Sequence, residues 1–112
     1  MGSGGADPPV FSVDVDVGAA CTTVAVAGEL DLATVDEFSG AIRSGLASGG
    51  VLIDLGQVTF MDSAGVRALN TALREAAERG RSLRVRGEMQ SSVVQVLEMT
   101  GMLGLLPVED GR

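Results

Sequence analysis

The sequence predicts a layered α/β domain, in which a mixed, mainly parallel sheet packs against helices and an antiparallel strand pair lies at the N-terminus. Three observations carry this. Strand-like and helix-like periodicities alternate along the chain, the pattern from which βαβ units are built. A short apolar run, Val51 to Leu55, follows a Gly49-Gly50 helix stop, as expected of a strand covered on both faces in a parallel sheet. The chain has 112 residues, 46% of them apolar. That suits a single domain with enough hydrophobic surface to offset the entropy of ordering one core.

Met1 to Pro9, rich in Gly and closed by Pro8-Pro9, is expected to be a flexible tail, with the domain spanning residues 10–108 and a short polar tail at 109–112. From Val10 to Val17 apolar and polar residues alternate, with Phe11, Val13, Val15 and Val17 on one face of a strand. Gly18-Ala19-Ala20 turns the chain, and Cys21 to Ala27, with β-branched Val24 and Val26, forms the second strand of an antiparallel pair. Thr34 and Glu37 fit a capping box. Val35, Phe38, Ile42 and Leu46 then recur at helical spacing before Gly49. After the apolar strand at Val51 to Leu55, a loop leads to a second helix ending near Arg79, with Val66, Leu69, Leu73 and Ala76 as its buried stripe. Arg67, Asn70, Arg74, Glu75 and Glu78 form the wet side, where Glu75 and Arg79 have the favourable i,i+4 order, and Gly80 ends the helix. Leu83 to Arg86 is a short strand, Ser91 or Ser92 caps a third helix running through Glu98, and Leu105 to Val108 adds a last short strand or helix.

Composition excludes several functions. Eight basic against fifteen acidic residues give a net charge of −7, which opposes association with nucleic acid or an anionic membrane surface. Three Phe with no Trp or Tyr leave nothing from which to build a base-stacking platform. The one basic stretch, Arg79, Arg81, Arg84 and Arg86, is interspersed with Glu75, Glu78 and Glu88 and reads as a solvated face. Cys21 has no partner for an intramolecular disulfide and reads as a core residue of its strand. No segment approaches the roughly 18 consecutive apolar residues that span a bilayer, and the N-terminus lacks the basic and apolar regions of a signal peptide. The cytoplasm is the expected location.

Chemistry is restricted further by the absence of histidine and the single cysteine. Serine–histidine and cysteine–histidine catalysis are ruled out, and no structural zinc site can form from such a set. Glu29 and Asp31, two apart in one loop, and Asp62 in another could pair as carboxylates, although carboxylates at helix starts ordinarily cap backbone amides. No cofactor loop of the dinucleotide or Walker type is present, so an enzyme is not expected.

The most informative stretch is Asp54-Leu-Gly-Gln-Val-Thr-Phe-Met-Asp-Ser-Ala-Gly65, a buried strand leaving towards an Asp-Ser at a helix start. In open α/β sheets functional groups gather outside the carboxyl ends of strands. On spacing alone Ser63 is a helix cap, whose removal would cost about 0.5–2 kcal/mol. The stretch also resembles the signature of anti-sigma factor antagonists, a group of STAS domains, and Gly28-Glu-Leu-Asp31 resembles the same family's loop between its second strand and first helix. Leu97-Glu-Met-Thr-Gly-Met102 is a weaker match to its apolar helix and glycine turn. The resemblance covers Val10 to Val108.

The resemblance implies a STAS-type fold and a partner-switching function. Ser63 would be phosphorylated by an anti-sigma factor that is itself a serine kinase. The unphosphorylated chain would bind that partner, the phosphorylated chain would release it, and a serine phosphatase would reset the switch. Glu29, Asp31, Asp62, Ala64, Gly65, Val66 and Arg67 would form the partner-facing surface, with no metal and no cofactor. Ala64, where the family has a second hydroxyl residue, and Arg67, where it often has glycine, are departures. They leave room for another reading, a constitutive STAS scaffold or transport-accessory subunit, and a weak homodimer also stays open. Whichever applies, a phosphate at a helix N-terminus meets unpaired N–H groups and the positive end of the helix dipole.

Overall fold

The computed structural model describes residues 11–109. The elements follow in the order β1 (Phe11–Val17), β2 (Cys21–Leu30), α1 (Val35–Ser48), β3 (Gly50–Met61), α2 (Ser63–Arg79), β4 (Leu83–Arg86), α3 (Ser91–Met99) and β5 (Val108–Glu109). They form one sheet of order β1-β2-β3-β4-β5, with β1 antiparallel to β2 and the other neighbours parallel. This is the mixed, mainly parallel architecture that the alternating periodicities predict. The terminal segments, residues 1–10 and 110–112, lie outside the described residues, whereas Glu109, expected in the C-terminal tail, pairs with Arg86 in β5.

Because the parallel strands follow one another across the sheet in a single direction, right-handed crossovers place their connecting helices on one face. Burial agrees with that rule. Thr22, Val24 and Val26 of β2, Val51, Ile53 and Leu55 of β3, and Leu83 and Val85 of β4 are buried. The alternating residues Thr23, Ala25, Asp54, Arg84 and Arg86 are partly or fully exposed. One core cluster joins the inward strand residues to Phe38, Ile42 and Leu46 of α1, Leu69, Ala72 and Ala76 of α2, and Val93 and Leu97 of α3. Within Val51 to Leu55 every residue but Asp54 is buried, as expected of a strand covered on both faces, although the helix core packs against only one of them. The other face carries the buried Leu52 and the half-buried Asp54, between Thr23 and Ala25 on one side and Arg84 on the other.

The same parity corrects Cys21. Thr22 points into the core, so Cys21 takes the opposite face and is only half-buried, rather than a core residue. In β1, Phe11 and Val13 pack against the core, but Val15 and Val17 are exposed, since the helix layer leaves that corner of the edge strand uncovered. Asp14 and Asp16 alternate with them, and charges on an edge strand oppose pairing with another sheet.

α1 and α2 pack side by side. Gly45 is buried on α1, and a Cβ there would stand 2.8 Å from Val51 Cγ2 and 3.2 Å from Thr22 Cβ, so glycine lets the helix approach β2 and β3 closely. Glu75 does not extend the wet side as expected. It turns towards α1, with Arg43 Nε 3.9 Å away. Gly80 ends α2 in the left-handed conformation at φ 65°, as its position after Arg79 predicts. Neither Ser91 nor Ser92 caps α3: the N-cap is Gln90 without a side-chain bond, and Ser92 Oγ instead donates to the Thr59 carbonyl at 3.1 Å, tying α3 to β3. Arg84 pairs with Glu109 at 2.7 Å, in keeping with a solvated basic face.

Candidate functional site

β2 and β3 are both longer than their periodicity suggests, and their ends bring the site together. Ala25 pairs with Asp54 but Ala27 with Gln57, and Gly28 pairs with Val58 but Glu29 with Phe60, so each register shift inserts one extra residue into β3. Asp54 Oδ1 accepts the Gly56 N–H at 2.9 Å across the first bulge, and Gly28, at φ 96°, sits at the second in a conformation that favours glycine. The segment between Leu55 and Asp62, expected as a loop, is therefore strand to Met61, because the extended β2 gives it a partner. Leu30 pairs with Met61, and Asp62 N–H donates to the Leu30 carbonyl at 3.3 Å. Gly28 to Asp31 and Asp62 to Gly65 thus lie side by side at one edge of the domain, as two segments that both follow parallel strands and precede helices should.

The first segment is fixed by a capping box displaced from the expected one. Thr34, predicted to pair with Glu37, makes no cap bond to α1. Instead Asp31 Oδ1 accepts the Ala33 N–H at 3.0 Å while Asp31 N–H donates to Thr34 Oγ1 at 3.0 Å, a reciprocal pair three residues earlier. The Thr34 hydroxyl donates in turn to the Glu29 carbonyl at 2.8 Å.

In the second segment the N-cap of α2 is Asp62, whose Oδ1 accepts the Ala64 N–H at 2.9 Å. Ser63 is the first residue of the helix, exposed, and its hydroxyl has no hydrogen-bond partner among the described residues. The cap and the hydroxyl are thus on different residues, which corrects the reading of Ser63 as a cap. Asp62→Ala is expected to cost about 0.5–2 kcal/mol through loss of the cap. Ser63→Ala should stay within about 0.5 kcal/mol of wild type, as for an exposed side chain without a partner. Denaturant melts of the two variants check this, and a Ser63→Ala loss larger than that of Asp62→Ala would return the capping role to the serine.

The remaining expected site residues divide by exposure. Glu29 and Arg67 are exposed, Asp31, Asp62 and Val66 are half-buried, and Ala64 and Gly65 are buried. Ala64, 6% exposed, offers little surface to a partner. A Cβ on Gly65 would stand 2.7 Å from Met61 Cγ and 3.3 Å from the Leu30 carbonyl oxygen, so this glycine seats α2 against the end of β2. Two exposed apolar residues outside the expected set adjoin its segments: Leu32, 74% exposed and next to Asp31, and Phe60, 48% exposed and paired with Glu29 across the sheet. Leu32 also walls an open groove of about 250 Å³ between α1 and α2, together with Val35, Ala64, Arg67 and Ala68. Phe60 is legible only once β3 is known to continue past Leu55, and Leu32 only once its turn is seen to project outwards.

The arrangement suits docking around a free hydroxyl. Each of the Asp31 and Asp62 carboxylates already accepts from a backbone N–H. Among the described residues no group of three His, Cys, Asp or Glu is placed to hold a metal ion, and no helix is long and apolar enough to cross a membrane.

A family model described as the MlaB STAS domain matches residues 13–107. Comparison with curated protein sequences finds no match. Among solved structures, an anti-sigma factor antagonist from Mycobacterium paratuberculosis is 22% identical, with a TM-score of 0.77 over 88% of this chain and 84% of its own. The anti-sigma factor antagonist SpoIIAA in its unphosphorylated form is 21% identical, with a TM-score of 0.69 over 88% of this chain and 89% of its own. The phosphorylated form of the same Bacillus cell fate determinant is 17% identical, with a TM-score of 0.67 over 88% and 92%. An anti-sigma factor antagonist STAS domain from Rhodobacter sphaeroides is 25% identical, with a TM-score of 0.59 over 74% and 95%. With the family model matching residues 13–107, which hold all three helices and the three central strands, this chain belongs to the STAS domain family.

Proposed function

We propose that this protein is an anti-sigma factor antagonist switched by phosphorylation of Ser63. The observation that carries the reading is the state of that serine: exposed, first in its helix, its hydroxyl without a partner, and beside an aspartate that performs the capping in its place. A kinase can therefore take the hydroxyl without dismantling the helix start. The exposed Leu32, which walls the groove beside Arg67, gives the unphosphorylated surface an apolar contact. Phosphorylation adds about −1.5 to −2 charges between Asp62 and the groove, so an interface formed around a neutral hydroxyl becomes unfavourable. The likeness of this fold to SpoIIAA in both its unphosphorylated and phosphorylated forms is in keeping with a switch of surface rather than of fold.

In this reading the chain is a substrate and a binding module, not an enzyme, and needs no cofactor. Its partner is a cytoplasmic anti-sigma factor with serine kinase activity, which supplies ATP and magnesium chemistry, and a serine phosphatase restores the free hydroxyl. Capture of the anti-sigma factor frees its sigma factor for transcription.

Calorimetry with the cognate kinase tests the switch. Wild type and Ser63→Ala are expected to bind alike, Ser63→Asp more weakly, and the phosphorylated protein at least about tenfold more weakly, with the single phosphate mapped to Ser63. Equal affinity for modified and unmodified protein would reject switching, because a modification that does not distinguish bound from free cannot shift the equilibrium between them. Constitutive scaffolding would then be the function.

A further inference from the structure

We infer that Arg67 holds the phosphate of Ser63 within the same molecule, so that modification both adds negative charge and withdraws an arginine from the partner-facing surface. The inference rests on the reading of Ser63 as the phosphorylated residue and assigns a role to a position at which this chain departs from the pattern it resembles.

Ser63 and Arg67 are four apart on α2 and both exposed. Residues so spaced have Cβ atoms about 5–6 Å apart on one helix face. Helical side chains lean towards the helix N-terminus, so an arginine covers the turn preceding its own Cα, here the turn that begins at Ser63. Arg67 is also available. Arg43 and Arg84 each have a carboxylate within 4 Å, whereas Arg67 makes no ion pair among the described residues. Asp31 and Asp62, carboxylates of the adjoining segments, each accept from a backbone N–H. Leu32, Val35, Ala64 and Ala68 share the groove with Arg67, and its polar lining, Ser39 and Thr71, is neutral, so no carboxylate in the groove competes for the guanidinium. That group matches two phosphate oxygens with a planar fork, which a lysine ammonium cannot do.

The unmodified protein would then offer a partner's acidic group a free guanidinium beside an apolar groove. The modified protein would offer a phosphate already paired with it. Local charge changes by the same amount either way, but the cation a partner needs has been taken.

The test uses phosphoserine placed at position 63 during translation, so no kinase is required. The second ionisation of the phosphate is followed by phosphorus NMR in the wild-type, Arg67→Gln and Arg67→Lys backgrounds. Opposite charge favours the dianion, so the apparent pKa in wild type is expected roughly half a unit to one unit below that in Arg67→Gln. Arg67→Lys should recover part of the difference, and about 0.5 M salt should shrink it. The neighbouring carboxylates, Glu29, Asp31, Asp36, Glu37 and Asp62, push the pKa upwards in every variant and cancel in the comparison. A second readout is the Arg67 side-chain Nε–H resonance, expected to move and exchange more slowly on phosphorylation. Identical phosphate pKa values in wild type and Arg67→Gln, with an unmoved Nε–H, would overturn the inference. The two proposals separate cleanly. A lowered pKa with undiminished partner binding leaves the contact standing and removes the switch, while an unshifted pKa with lost binding does the reverse.

Discussion

Leu69→Ala is expected to destabilise the domain by about 2–5 kcal/mol, a large share of the roughly 5–15 kcal/mol that holds a domain of this kind folded. Leu69 is 0% exposed and lies on the inward face of α2, in the same cluster as Ile42 of α1, Ile53 of β3 and Val85 of β4. Truncation removes its transfer free energy and leaves a cavity between a helix layer and a sheet that cannot both close in. Leu73, one turn further and only half-buried, should cost less when truncated in the same way. Urea unfolding decides it, with the midpoint falling and the slope unchanged. A loss below about 1 kcal/mol at Leu69 would mean that this packing does not fix α2, and with it the position of Ser63.

The core was legible because it obeys a period. Phe38, Ile42 and Leu46 recur at helical spacing, Leu69 and Ala76 likewise, and all are buried. The site was legible in its members but not in its local bonding, which depends on contacts that no spacing encodes. Thr34 has the residue type and the i+3 glutamate of a cap, yet Asp31 lies three residues before it with a carboxylate able to start the turn sooner, so the box closes there. Ser63 has the residue type of a cap too, and loses that role to the residue before it. The bulges of β3 do leave a trace in its own spacing: the buried Val51, Ile53 and Leu55 are two apart, whereas Leu55, Val58 and Met61 are three apart. Each break in the alternation, which alone reads as the start of a loop, is one extra residue once β2 is seen to pair as far as Leu30. The continuous apolar run from Val51 to Leu55 marks burial of the strand, Leu52 included, but does not say which layer supplies it.

Gly65→Ala and Gly40→Ala are expected to change stability in opposite directions, although both place alanine in a helix, where it is intrinsically favoured over glycine. At Gly40, in the middle of α1, an added Cβ meets nothing within 4 Å, so the substitution should gain about 0.5–1 kcal/mol from propensity alone. At Gly65 the Cβ meets Met61 Cγ at 2.7 Å and the Leu30 carbonyl oxygen at 3.3 Å. Met61 is buried and the carbonyl is backbone, so neither can move far, and overpacking of this kind costs about 1–3 kcal/mol. The strain falls on the junction that assembles the site, because the same Leu30 carbonyl accepts the Asp62 N–H that ties the two segments together. Alongside the melts, hydrogen exchange at the Asp62 amide should quicken in Gly65→Ala beyond what its lost global stability accounts for, and stay near the wild-type rate in Gly40→Ala. A neutral Gly65→Ala with an unchanged Asp62 amide would show that α2 can back away from β2 at no cost, and that the closeness of the two segments is not what holds Ser63 in place.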